Sequence, residues 1–140
     1  MEELIKGFGA QMREAITIGK QAKFTAPDHD IQNVVLIGLG GSAFGGEVID
    51  NFTNQKIKVP YVIVRDYTVP AFVSENTLLL VSSYSGNTEE TLSMLEAALP
   101  ANPKVVCVTS GGKVKEKAEA NGWDHIILPG GYPPRSAAAF

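Results

Sequence analysis

The stretch Asn33–Asp50, NVVLIGLGGSAFGGEVID, decides the fold. It opens on an unbroken apolar run with no alternation of polar residues. A strand covered on one face alternates, whereas a strand covered on both faces reads as a continuous run. The run ends in a glycine turn, and GSAFGGEVIDNFTN then reads as a helix, with Gly45 and Gly46 lowering its propensity. Strand, glycine turn and helix in that order form half of a parallel β-α-β unit.

The same alternation continues downstream. VPYVIVRD is a second buried strand and YTVPAFVSEN an irregular or short helical crossover. TLLLVSSYS is a third strand, and TEETLSMLEAAL a helix stopped by Pro100. KVVCVTS is a fourth strand, and GKVKEKAEANG a helix closing on Gly122. DHIILPGG is a fifth strand, and YPPRSAAAF begins a further helix. Upstream, Leu4, Ile5, Phe8, Met12, Ala15, Ile16 and Gly19 fall at roughly helical spacing. They predict an amphipathic helix over Glu2–Lys23, weakened by three glycines and ended by TAPDHD. The pattern predicts an α/β domain: five parallel strands with right-handed crossovers and helices on both faces.

Composition narrows the class. The chain has 140 residues, 44% of them apolar and 19% charged, values of one globular domain. Its net charge of −3 provides no global attraction for nucleic acid or an acidic membrane. No apolar run approaches the ~20 residues of a membrane span, and the N-terminus has no signal-peptide core. The single cysteine, Cys107, excludes an internal disulfide framework and reads as core. A cytoplasmic protein is expected. The ending on AAAF, one turn into an apolar helix, leads to the expectation of a truncated chain.

Ligands of open parallel sheets bind outside the carboxyl ends of the strands, where strand order reverses. Three loops rich in small residues fall at such ends: GLGGSAFGG, SSYSGNTEE and TSGGK. In the second, Ser83, Ser85 and Thr88 flank Gly86 just before a helix. Unpaired amides and the helix dipole favour an anion there, and hydroxyls add neutral donors. A phosphate site without lysine or arginine is one reading. A capping box formed by Asn87 and Glu90 explains part of the same residues. In the first loop, Gly38, Gly40 and Ala43 fit the dinucleotide spacing G-x-G-x-x-A, with Asp66 placed for a ribose and Arg65 for a 2′-phosphate. Alternatively, Gly40 and Gly41 let a ligand approach the backbone while Ser42 caps the helix and donates to it. The third loop offers further amides, or is a plain turn with Lys113 solvated. Glu47, Glu89 and Glu90 lie near the loops as acids that also suit helix first turns. Asp28, His29, Asp30 and His125 lie at the opposite, amino edge. No metal site is expected, and Trp123 reads as packing.

The segment SYSGNTEE resembles the S-x-S-G-x-T-x-E signature of sugar isomerase (SIS) domains, which bind phosphosugars. GLGGSAFGGE, RDYTVP, SSYSGNTEETL, TSGG and PPRSAA follow the order of the bifunctional phosphoglucose/phosphomannose isomerase family, from about Val34 to the end. The resemblance implies a flavodoxin-like αβα sandwich. It implies an isomerase of glycolysis and gluconeogenesis that exchanges glucose 6-phosphate or mannose 6-phosphate with fructose 6-phosphate through an enediolate. No cofactor is implied. Ser42, Ser83, Ser85 and Thr88 match phosphate and sugar contacts, and Gly40, Gly41 and Gly86 match close-approach glycines. Arg135 matches the arginine that supports the enediolate. The family works as a dimer of two-SIS-domain subunits. Its second SIS domain supplies the glutamate base and the ring-opening groups, which places them beyond Phe140. The chain thus resembles an N-terminal half, able to hold substrate without turning it over. A phosphosugar-sensing regulator, another SIS isomerase acting on aminosugar, arabinose or heptose phosphates, and a nicotinamide-dependent dehydrogenase are the rival readings. The regulator needs a DNA-reading part, and no basic helix-turn-helix fits ahead of the first strand.

Overall fold

The computed structural model describes residues 2–133, with side chains described from residue 7 onward. Helix α1 (Glu2–Gln21) precedes β1 (Asn33–Ile37), α2 (Gly40–Thr53), β2 (Tyr61–Val64) and β3 (Thr77–Ser82). Next come α3 (Glu89–Ala98), a 3-10 turn (Leu99–Ala101), β4 (Lys104–Thr109), α4 (Gly112–Asn121) and β5 (Asp124–Ile127). The five strands form one sheet in the order β2-β1-β3-β4-β5, with every pairing parallel. This is the flavodoxin-like order, and its switch point lies between β1 and β3. The predicted αβα architecture is therefore present.

Burial explains the strand patterns. Val34 through Ile37 of β1 are all buried, as a central parallel strand requires. Val35, Ile37, Leu79, Val81, Val105 and Cys107 pack against Met94, Leu95 and Ala98 of α3 and Val114 and Ala118 of α4. Burial pushes the Cys107 thiol up to about 12, so it stays neutral and inert in that core. Trp123 packs against the edge of the same cluster.

On the other face, α2 lies close to the sheet through Gly46, where a methyl group would sit 2.8 Å from Leu36 Cδ1. The Tyr61 hydroxyl donates to the Gly46 carbonyl at 3.2 Å. Burial, with help from Asp50, pushes this phenol up to about 12. Gly46 thus costs the helix propensity and gains a near approach.

Residues 65–76 form turns and bends, the irregular one of the two crossovers expected. Other local expectations are corrected. Pro100 does not end the helical path, because it sits inside the 3-10 turn, which Asn102 closes with φ 52°. Asn87 and Glu90 form no capping box. The N-cap of α3 is Thr88, and it makes no side-chain cap bond. Asn87 instead accepts from the Lys113 N–H at 3.1 Å, which ties the start of α3 to α4. The segment beginning at Pro134, with Arg135, lies outside the described residues.

The crossing from α1 to β1 is pinned at the amino edge. The Asp124 carboxylate accepts from the Thr25 N–H and hydroxyl, both at 2.9 Å, and pairs with Lys104 at 2.8 Å. The Asp124 side chain is 9% exposed. Burial alone would raise this carboxyl, but the bonds from Lys104 and Thr25 hold it below the usual carboxylate range. A lowered folded-state value stabilises above the unfolded pKa near ~3.9 and loses that contribution as pH falls through the folded value. Asp124→Asn is therefore expected to lower Tm at pH 7 by several degrees and to shrink the loss of stability on acidification below about pH 4. Thermal melts of both proteins from about pH 7 down to about pH 2.5 check this.

Candidate functional site

The loops after β1 and β3 meet at the switch point. Gly38 packs on the end of β3, where a methyl group would lie 2.7 Å from the Ser82 carbonyl oxygen. The Ser82 hydroxyl donates to the Ser42 carbonyl at 2.9 Å, and the Tyr84 N–H donates to Ser42 Oγ at 3.1 Å. Ser42 is therefore not a helix cap. The N-cap of α2 is Leu39, and the Ser42 hydroxyl joins the two loops.

Between these loops opens a cleft of about 500 Å³. Gly40, Gly41, Ser42, Ser82, Ser85 and Thr88 line its polar end. Leu36, Leu39, Ile49, Leu80, Val108 and Leu128 line its apolar body, and Ala15 and Ile18 of α1 close one side. Among the described residues, none of the lining side chains is charged.

The hydroxyl loop is rigidly built. Ser83 is 1% exposed. Its Oγ accepts from the Gly86 N–H at 3.1 Å and shares a hydrogen bond with the Thr88 hydroxyl at 3.1 Å. Ser83 holds the turn, and Ser85 and Thr88 are the more open hydroxyls. Gly86 has φ +69°, a left-handed conformation suited to glycine. The first amides of α3 have no partner within the helix, and Thr88 leaves them uncapped by its side chain. The arrangement can surround an anion with neutral hydrogen-bond donors at the positive end of a helix.

The third loop braces the second. The Ser110 N–H and hydroxyl donate to the Tyr84 carbonyl at 2.9 and 2.6 Å, and the Val114 N–H donates to the Gly86 carbonyl at 3.0 Å. The acids near the loops, Glu47, Glu89 and Glu90, are not among the cleft lining. Glu47 pairs with Arg65, and Glu90 with Glu89 raises the neighbouring Tyr67 phenol above its usual range. His29 faces Glu75 at 3.7 Å at the amino edge.

One residue escaped the sequence reading. Tyr84 stands between the serines of S-x-S, and its hydroxyl reaches the chain leaving β5: it donates to the Pro129 carbonyl at 2.7 Å and accepts from the Tyr132 N–H at 3.2 Å. A tyrosine inside a loop of small residues was the available signal.

No model of a known protein family matches the chain. A bifunctional phosphoglucose/phosphomannose isomerase of Caldicellulosiruptor bescii is 44% identical over 140 residues, 100% of this chain and 41% of that protein. The chain belongs to the family of the bifunctional phosphoglucose/phosphomannose isomerases. It spans about two fifths of the length of that relative. A D-glucosamine-6-phosphate 4-epimerase of Sulfolobus acidocaldarius is 38% identical over 105 residues, covering 74% of this chain and 33% of that protein. Among solved structures, a hypothetical protein of Thermus thermophilus superposes with TM-score 0.75 at 23% identity, covering 95% of this chain and 36% of its own. That likeness establishes the fold.

Proposed function

We propose that the chain is the phosphosugar-holding SIS domain of an isomerase that interconverts glucose 6-phosphate, and mannose 6-phosphate, with fructose 6-phosphate. The observation that carries this reading is the uncharged cleft at the β1/β3 switch point, rimmed by Ser42, Ser85 and Thr88 at the start of α3. A phosphate held there anchors a part of the sugar that does not react, and so positions C1 and C2. The reaction moves a proton from C2 to C1 through an enediolate, which requires a base. Among the described residues, no carboxylate lines the cleft. The base therefore comes from outside these lining residues, in keeping with relatives more than twice as long. Gly40 and Gly41 allow a ligand to approach the backbone, Gly86 allows the tight turn and the approach of the loop after β4, Ser83 keeps Thr88 in place, and Arg135 stabilises the enediolate oxygen. No metal or redox cofactor takes part in this proton relocation.

The reading places the protein in the cytoplasm as a homodimer of two-domain subunits. Phe8, Met12 and Ile16 of α1 and Phe44, Val48 and Phe52 of α2 stand exposed, with Phe52 at 74%, and support a partner on that face. No described helix is long and apolar enough to cross a membrane. A second reading, in which the sugar is an aminosugar phosphate, is supported by the epimerase relative. It uses the same anchor and differs at the reacting carbon.

Ser85 is exposed, so its loss leaves the core intact. Ser85→Ala is expected to weaken fructose 6-phosphate about tenfold, the worth of a hydrogen bond to a charged group, with Tm within a few degrees of the parent. Calorimetric titration of both proteins measures this. Unchanged affinity would remove the hydroxyl loop from the site.

A further inference from the structure

Tyr84 bonds to three other loops at the carboxyl edge of the sheet, those after β1, β4 and β5. Its N–H donates to Ser42 after β1, at 3.1 Å. Its carbonyl accepts from the Ser110 N–H after β4, at 2.9 Å. Its hydroxyl serves the chain after β5, donating to the Pro129 carbonyl at 2.7 Å and accepting from the Tyr132 N–H at 3.2 Å. The first two are backbone bonds that any residue here would make. Only the hydroxyl is particular to tyrosine.

That hydroxyl uses both of its capacities, donor and acceptor, on one short turn. It brackets Gly130 and Gly131, and Gly131 has φ +89°. A side chain from the loop after β3 thus closes a turn in the chain after β5. Pro129 and Tyr132 are both half-buried, and Leu128 just before them lines the cleft. Tyr84 itself also lines the cleft. The last described residue, Pro133, directly follows this turn.

We infer that Tyr84 is a positioning residue: its hydroxyl sets the segment after β5 against the loop that holds the phosphate, so the part of a ligand beyond the phosphate meets that segment in one fixed place. The inference rests on the phosphosugar reading for its ligand. It rests on geometry alone for the hold on the turn. The bonds that the Tyr84 backbone makes, to the Ser42 hydroxyl oxygen and from the Ser110 N–H, keep the anchor loop in shape without the tyrosine hydroxyl. Removing the hydroxyl therefore separates the anchoring of a phosphate from the placement of a sugar.

The test compares the 140-residue chain with its Tyr84→Phe variant, which keeps the ring and loses both bonds. Each is titrated with fructose 6-phosphate and with inorganic phosphate, and amide hydrogen exchange is followed at Tyr132 and across residues 83–88. The variant is expected to lose about tenfold in preference for fructose 6-phosphate over inorganic phosphate, the scale of one or two hydrogen bonds. Exchange is expected to quicken at Tyr132 and stay unchanged at 83–88. Equal weakening of both ligands, or unchanged exchange at Tyr132, would overturn the inference and leave Tyr84 a packing residue. If the parent chain binds neither ligand, the phosphosugar reading fails, and exchange at Tyr132 still decides the hold on the turn.

Discussion

Replacing Gly86 by alanine is expected to cost about 3 kcal/mol or more and to abolish ligand binding at the hydroxyl loop. Two effects combine. The residue sits at φ +69°, where a side chain strains the backbone by about 1–2 kcal/mol. A methyl group there would also lie 1.8 Å from the Gly111 carbonyl oxygen and 2.9 Å from Thr109 Oγ1. The first neighbour is backbone and cannot rotate away. The loop after β3 and the loop after β4 must therefore part, breaking the bonds from Ser110 to Tyr84 and from Val114 to Gly86. Gly122 provides an internal control. Its φ is +67°, yet an added methyl group meets nothing within 4 Å. Gly122→Ala thus measures the backbone strain alone. Thermal melts should show Gly86→Ala falling by roughly 10 °C and Gly122→Ala by a few degrees, on the usual scaling for a domain of this size. Equal shifts would mean that the contact with Gly111 carries no weight.

The second large effect concerns Gly38. Here φ is ordinary for any residue, and only space is short: a methyl group would lie 2.7 Å from the Ser82 carbonyl oxygen and 3.4 Å from Ser82 Cβ. Gly38→Ala pushes the loop after β1 away from the end of β3. The Ser82–Ser42 and Tyr84–Ser42 bonds span that junction. Both lengthen, and the walls of the cleft separate. Loss of at least about tenfold in fructose 6-phosphate affinity is expected, with destabilisation of about 1–3 kcal/mol from the forced shift. Titration and urea melts read the two effects separately. A variant that melts lower but binds as well as the parent would show that the junction is structural only.

Gly38 also bears on the dinucleotide reading. Gly38, Gly40 and Ala43 match its spacing, but Gly38 is needed for the approach to Ser82, and Ala43 is fully buried. Arg65, the residue placed for a 2′-phosphate, pairs with Glu47. These three residues of the dinucleotide pattern thus have a use within the fold.

The architecture was legible because its signals are local. VVLI and VVCV are unbroken apolar runs, and they became interior strands of the sheet. The glycine-rich ends of the runs became the carboxyl-edge loops at the switch point. Even α1, with three glycines, is a 20-residue helix, and much of its apolar spacing, Phe8, Met12 and Ile16, stands exposed. What was not legible depends on partners remote in sequence. Asp124 reads as the start of a strand, and its role as the clamp for Thr25 appears only when residues 99 positions apart meet. Asn87 and Glu90 have the spacing of a capping box, but the Asn87 amide turns to α4 instead. Ser83 reads in the sequence like its neighbouring hydroxyls, and only the folded turn shows its Oγ accepting from the Gly86 N–H. Tyr84 carried no motif at all, since its hydroxyl acts on residues 45 and 48 positions away.

The central claim is that the neutral cleft between the loops after β1 and β3 holds a sugar phosphate. Its most direct measurement is a calorimetric titration of the chain with fructose 6-phosphate, with NADP titrated in parallel. The account predicts saturable binding of fructose 6-phosphate at one site, competed by inorganic phosphate, and no heat from NADP. Saturable binding of NADP without binding of fructose 6-phosphate would contradict it.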